Sequence, residues 1–142
     1  MPESRIPAKL RESVAERARR CCEYCRAQER YSPDSFSVEH IIPLSKGGSS
    51  ELSNLAFACQ GCNNRKYISI DAEDQVTRKI VCLYHPRKQH WSNHFAWNED
   101  CSEVLGLTAT GRATVNKCKL NCSGLVNLRR ILYSLGEHPP DF

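Results

Sequence analysis

No run of apolar residues in this sequence approaches the ~18 residues of a membrane-spanning helix. The N-terminal segment MPESRIPAKLRESVAERARR also lacks the apolar core of a secretion signal. Internal repeats, low-complexity tracts and long linkers are absent as well. We therefore expect a cytoplasmic protein whose 142 residues form a single domain with a sizeable core.

Acidic residues are missing between Leu105 and Leu135, although that segment contains five basic side chains. These are Arg112, Lys117, Lys119, Arg129 and Arg130. The whole chain has a net charge of +4, which permits a nucleic acid partner without requiring one. A surface that faces phosphates and a solvated helix face explain the basic run equally well.

Nine cysteines are present, and a cytoplasmic compartment would keep them reduced. Four of them form two CxxC pairs, Cys22 with Cys25 and Cys59 with Cys62. Two residues between thiolates allow a tight turn to bring both sulfurs to about 2.3 Å from one ion. Two such pairs without a βαβ pattern favour a structural zinc site over a redox pair or simple burial. A site closed by four thiolates would do no chemistry itself.

Local patterns predict an N-terminal helix, then strand, loop, strand and helix. The helix is indicated by Pro7 and by the spacing of Leu10, Val14 and Ala18. FSVEHII, which Pro43 ends, and NLAFAC predict the two strands, and QGCNNRK opens the second helix.

The second half of the sequence gives weaker signals. KIVCLY predicts a strand, and the aromatic, histidine-rich segment HPRKQHWSNHFAW has no clear assignment. Two helices are predicted to close the chain. The first begins after Thr110 as N-cap, and the second is LVNLRRILYSL with an apolar stripe.

The stretch SVEHIIPLSKGG places Glu39 and His40 at the end of an apolar run, where a buried strand would avoid both residue types. The longer segment EHIIPLSKGGSSELSNLAFACQGCNNRK resembles the HNH endonuclease family, the zinc-knuckle branch of the ββα-metal nucleases. The pattern is an acid and a histidine at a strand end, a glycine-bearing loop, an asparagine before the second strand, and CxxC-Asn-x-x-Lys opening a helix. The match runs from Cys22 to Lys66.

The resemblance implies an α+β fold. Its ββα-metal core, a hairpin plus a helix stapled by a zinc ion with four cysteine ligands, is expected over residues 20–68. An N-terminal helix precedes this core, and an accessory region with a strand and two helices covers residues 69–142 of the single domain.

The resemblance also implies the roles of four catalytic residues. His40 would be the general base, and Glu39 and Asn63 would bind a catalytic Mg²⁺ or Mn²⁺ ion. Asn54 would tie down the hairpin loop and orient His40. These residue types suit phosphodiester hydrolysis because imidazole titrates near neutral pH and hard cations take oxygen ligands.

The implied partner is DNA, which the enzyme would cut or nick. Six basic side chains are candidates for its phosphates: Lys46, Arg65, Lys66, Arg112, Lys117 and Lys119. One alternative is a zinc-stabilised nucleic-acid-binding module without catalysis, and another is a purely structural zinc protein.

A second metal site can be drawn from Cys82, His85, His90 and His94. A packed aromatic loop around Trp91 and Trp97 explains the same segment, and we favour it.

Overall fold

The structure is a computed structural model that describes residues 6–141. Its helices and strands, in chain order, are α1 (Ala8–Arg17), β1 (Ser37–His40), β2 (Leu55–Ala58), α2 (Gln60–Lys66), β3 (Asp71–Glu73), β4 (Ile80–Cys82), α3 (Trp91–His94), β5 (Phe95–Trp97), β6 (Val104–Gly106), α4 (Ala109–Cys118) and α5 (Ser123–Ser134). Across these residues the strands pair into three antiparallel two-stranded sheets, β1 with β2, β3 with β4, and β5 with β6. The predicted α+β class is confirmed.

The β1–β2 hairpin belongs to the core that the sequence predicts over residues 20–68. Its register pairs His40 with Leu55 at the loop end of the hairpin. All four residues of β2 are buried because α1 covers this hairpin with Val14 and Ala15. Arg17 fastens α1 to the hairpin, since its guanidinium donates to the carbonyl oxygen of Leu55 over 2.6 Å.

The loop between β1 and β2 needs both of its glycines. Gly47 has a φ of 88°, which is a left-handed conformation that favours glycine. A Cβ atom on Gly48 would lie 1.8 Å from the carbonyl oxygen of Ile42, so any side chain there would force the loop apart.

The C-terminal half contains more short elements than the sequence predicts. The expected strand is present as β4, whereas β3, β5, β6 and α3 were not predicted. The expectation that Thr110 caps α4 is wrong. Thr108 is the N-cap, because its hydroxyl oxygen accepts a hydrogen bond from the backbone of Gly111 over 3.0 Å.

Arg129 of α5 joins the C-terminal half to the zinc-knuckle segment. It is 4% exposed, and its guanidinium donates to the carbonyl oxygens of Leu120, Ser102 and Cys25 over 2.6–3.3 Å. One of the five basic residues of the acid-free segment is therefore structural and does not face phosphates.

None of the helices described between residues 6 and 141 combines the length and the apolar character that a membrane span requires.

Candidate functional site

The two CxxC pairs converge on one point. The sulfur atoms of Cys22, Cys25, Cys59 and Cys62 all lie within 4.8 Å of one another. The sulfurs of Cys25 and Cys59, which come from different pairs, are 3.7 Å apart. Within each pair, the backbone N–H of the second cysteine points at the sulfur of the first over 3.4 Å, as expected for a tight metal-binding turn.

This cluster fits a zinc ion. A tetrahedron with zinc–sulfur bonds of about 2.3 Å has edges of about 3.8 Å, close to the separation of Cys25 and Cys59. Burial raises the pKa of the Cys22 thiol well above its usual range, so thiolates packed here need a cation to persist. The ion would tie the segment after α1 to the start of α2, directly behind the hairpin.

His40 ends β1 and is half-buried. Its Nε2 atom lies 2.9 Å from the hydroxyl oxygen of Ser50, in the loop that connects the two strands. Burial lowers the pKa of the imidazole below its ordinary value, so the ring is neutral near pH 7. A neutral, partly accessible imidazole is suited to accept a proton.

Glu39, the neighbour of His40, is only 5% exposed. The hydroxyl of Tyr24 donates to its Oε2 atom, and the Nζ atom of Lys66 lies 3.3 Å from its Oε1 atom. Lys66 also donates to the carbonyl oxygen of Ile41 over 2.9 Å. Burial raises the pKa of the Glu39 carboxyl, against the opposing effect of Lys66.

The buried ion pair of Glu39 and Lys66 differs from the roles that the sequence suggests, which are metal ligand for Glu39 and phosphate contact for Lys66. Lys66 is 2% exposed, so the expectation that it holds a DNA phosphate conflicts with its position. A cation bound by Glu39 would have to displace or crowd the ammonium group of Lys66, although each carboxylate oxygen retains lone-pair capacity.

Asn54 closes the loop that connects His40 to β2. Its Oδ1 atom accepts from the backbone N–H of Ile42 over 2.9 Å, and its Nδ2 atom donates to the carbonyl oxygens of Ile42 and Ser49. It thereby holds the loop that carries Ser50. Among residues 6–141, the Asn54 side chain has no hydrogen bond to His40, and it is Ser50 that lies within hydrogen-bond distance of the His40 ring.

Asn63 lies in the first turn and a half of α2, beside the zinc ligand Cys62, and is half-buried. Within residues 6–141, no side-chain hydrogen bond to its amide is found. The amide oxygen is therefore available to a ligand.

The comparison with protein families found a match for the region that contains these residues. A model of the HNH endonuclease family matches residues 22–67. This segment is of the HNH family. The four-cysteine cluster fits its zinc-knuckle branch, and members of the family are typically metal-using nucleases that act on DNA. Comparison with curated proteins and with solved structures found no match for the chain.

The predicted DNA-binding side chains are divided between surface and structural positions. Lys46 of the HNH segment and Lys119 beyond it are exposed, and Lys117 is half-buried. Arg65 donates to the carbonyl oxygen of Cys118 over 3.3 Å. Arg112 forms a two-pronged ion pair with the buried carboxylate of Asp74, at 2.8 and 3.0 Å, so its predicted role at phosphates conflicts with this contact.

Outside the HNH segment, the second zinc cluster that the sequence permits does not assemble within the described chain, where only the four knuckle cysteines form a metal-sized group. The ring of His94 lies 2.6 Å from the hydroxyl of Thr108 instead. Trp91 and Trp97 pack against each other with their rings tilted by 41° and the ring centroids 5.5 Å apart, which agrees with the packed aromatic loop.

Sequence reasoning missed two residues of the HNH site. Ser50 lies in the polar SKGGSS loop, and the hairpin geometry that brings it back to His40 gives no local signal. Tyr24 lies between Cys22 and Cys25, where a large aromatic residue inside a metal knuckle could have indicated a buried contact.

Proposed function

We propose that this protein is a metal-dependent DNA endonuclease or nickase in which His40 is the general base. The observation that carries the proposal is the hydrogen bond between the His40 ring and Ser50, at the loop end of a hairpin whose second strand leads directly into the four-cysteine cluster. The match of the same residues to the HNH family supports the reaction class.

The contact with Ser50 supports one placement of the proton on the two ring nitrogens of His40. If the Nε2–H group donates to the hydroxyl oxygen of Ser50, the lone pair remains on Nδ1. That nitrogen then takes a proton from a water molecule as the water attacks the phosphorus atom. Because burial lowers the pKa of His40, this form is populated at neutral pH.

Asn63 and Glu39 are the proposed ligands of a catalytic Mg²⁺ or Mn²⁺ ion. An amide and a carboxylate oxygen are the donors that such hard cations prefer. The ion, when bound, would stabilise negative charge on the phosphate and on the departing oxygen. Lys66 must move away from Glu39 for the carboxylate to contribute fully, and its ammonium group otherwise holds that carboxylate in place.

Lys46, Lys117 and Lys119 are the proposed phosphate contacts. Lys46 and Lys119 are exposed, Lys117 is partly exposed, and all three lack an ion-pair partner among residues 6–141. Contacts of this kind position the duplex without reading its sequence.

One observation favours a second candidate function. Glu39, a proposed metal ligand, is already paired with Lys66. Such a pair is expected for a zinc-stabilised nucleic-acid-binding module without catalysis. The two functions differ in a single measurable property, which is cleavage.

Incubation of supercoiled plasmid with the zinc-loaded protein tests the proposal. We expect nicked or linear product with Mg²⁺ or Mn²⁺, none with EDTA, and ends that carry 5′-phosphate and 3′-hydroxyl groups. His40→Ala should abolish cleavage while zinc content and DNA binding persist. His90→Ala is the matched control, because His90 is exposed on another element. Binding without cleavage by any divalent ion would leave the second candidate function.

A further inference from the structure

A cavity of about 460 Å³ opens beside the proposed catalytic strand. Its wall includes Ile41 and Ile42, the two residues directly after His40. Its lining also includes Ile70 and the residues immediately after β4. The volume lies in the range of about 300–1,000 Å³ that is typical of small-ligand sites.

The cavity is apolar in its body. Its lining includes the aliphatic residues Ile41, Ile42, Ile70 and Leu83 and the aromatic residue Tyr84. Such a wall suits the flat face of a ring system, because contact removes apolar area from water on both sides.

The polar groups of the cavity are all able to donate. Lys66 has three N–H donors, and the described residues supply acceptors to two of them. His85 accepts from the backbone of Arg87 at Nδ1 over 3.2 Å, so its proton lies on Nε2. Gln89 uses its amide oxygen on the backbone of His85, which leaves its NH₂ group, and Lys88 is exposed at the rim.

Among the described residues, the cavity lining includes no carboxylate, and Glu39, which contacts the ammonium group of Lys66, is not part of it. The ligand that matches this charge pattern has a flat, partly apolar body, several hydrogen-bond acceptors, and a negative group at the rim beside the exposed Lys88. A nucleotide has these properties, because its base supplies a flat ring with nitrogen and carbonyl acceptors and its phosphate supplies the negative group.

We propose that this cavity binds one unpaired nucleotide of the DNA strand that lies at His40. The Cα atoms of His40 and Ile42 are at most about 7 Å apart. The cavity therefore lies close to His40, and the bound nucleotide would lie within a few positions of the phosphate at His40. The inference rests on the proposed function for the identity of the nucleic acid, and it makes the substrate a duplex with a displaced or bulged base.

Binding by the His40→Ala protein tests the inference without cleavage. Three duplexes are compared by fluorescence anisotropy: one with a single bulged 2-aminopurine, one with an abasic bulge at that position, and one fully paired. We expect the bulged base to bind about tenfold more tightly than the abasic bulge, with a change in 2-aminopurine fluorescence. Equal affinity for the first two duplexes would overturn the inference.

A pair of matched substitutions locates the base. In the His40→Ala background, Ile70→Trp fills the cavity and should remove the preference for the bulged base. Ile68→Trp makes the same change at an exposed position outside the lining and should keep it. A preference that survives Ile70→Trp unchanged would overturn the inference.

Photo-crosslinking tests the inference without the Ile70 variant, which could fail to fold. A bulged 5-iododeoxyuridine bound to His40→Ala should crosslink to the peptides with residues 41–42 or 83–89. Crosslinks confined to other peptides would overturn the inference. A wild-type protein that cuts DNA without the base preference would contradict this inference alone, whereas the preference without any cleavage would contradict the proposed function alone.

Discussion

The Nε2 atom of His40 and the hydroxyl oxygen of Ser50 lie 2.9 Å apart, across the loop that Asn54 holds closed. If the ring donates its Nε2 proton to Ser50, the lone pair remains on Nδ1, the nitrogen to which the proposed mechanism assigns proton transfer from water. In the proposed mechanism, the orientation of His40 therefore depends on a loop hydroxyl, and Asn54 acts on His40 only through the loop.

Ser50→Ala should lower the rate of DNA cleavage about tenfold, because the ring loses its anchor while the base itself remains. Ser50→Thr should restore most of the rate. The measurement is single-turnover cleavage, with the ring tautomer read by ¹⁵N NMR. Ser53→Ala is the matched control in the same loop, and an equal loss in both variants would contradict a specific role for Ser50.

The pH dependence of cleavage should track the neutral form of His40. Burial lowers its pKa below the ordinary 6.5, so the rate should rise with pH and reach half its maximum below pH 6.5. The same shift means that the unfolded chain binds the proton more readily, so this contribution to stability is lost as pH falls below 6.5. A midpoint clearly above 6.5, by cleavage or by NMR titration, would contradict the assignment.

Removal of the zinc ion should unfold the HNH segment. Structural zinc contributes about 10–16 kcal/mol in zinc-finger peptides, which equals or exceeds the total stability of a typical domain, about 5–15 kcal/mol. We expect one zinc per chain by metal analysis, lost in Cys25→Ala together with the thermal transition. Cys82→Ala should keep the metal, because Cys82 is exposed and outside the cluster.

Glu39→Gln should destabilise the fold by about 3–5 kcal/mol, because it leaves the buried ammonium group of Lys66 without its counter-charge. The double variant Glu39→Gln with Lys66→Met should recover stability in thermal melts, since a buried ion pair is often replaced without loss.

Cleavage by the same double variant separates two roles of Glu39. If the carboxylate also binds the catalytic ion, the double variant stays inactive although it is folded. Recovery of cleavage together with stability would show that Glu39 acts only as the structural partner of Lys66.

Features with short-range geometry could be predicted from the sequence. The two CxxC pairs were predictable because two intervening residues fix the ligand turn, and the cluster confirms them. The glycines and Asn54 of the loop also lie close together in the sequence. The tight loop and the hydrogen bond from Ile42 to Asn54 agree with the predicted role of Asn54 in holding the loop. Lys66 could have been predicted as buried, since it lies four residues after Cys62 on the same helix face.

Features that depend on distant pairing could not be predicted. Arg112 meets Asp74 from another part of the chain, so its charge looked available for phosphate. The strands β3, β5 and β6 have three residues each, too few for an alternating pattern to emerge. Thr108 and Thr110 are equally good caps by type, and only the backbone path selects Thr108.

Rescue of His40→Ala by free imidazole tests the central claim most directly. With zinc-loaded protein, Mg²⁺ and supercoiled plasmid, the account predicts that His40→Ala is inactive and that added imidazole restores part of the cleavage as its neutral form increases. Asn63→Ala should not respond to imidazole. Unimpaired cleavage by His40→Ala would contradict the account.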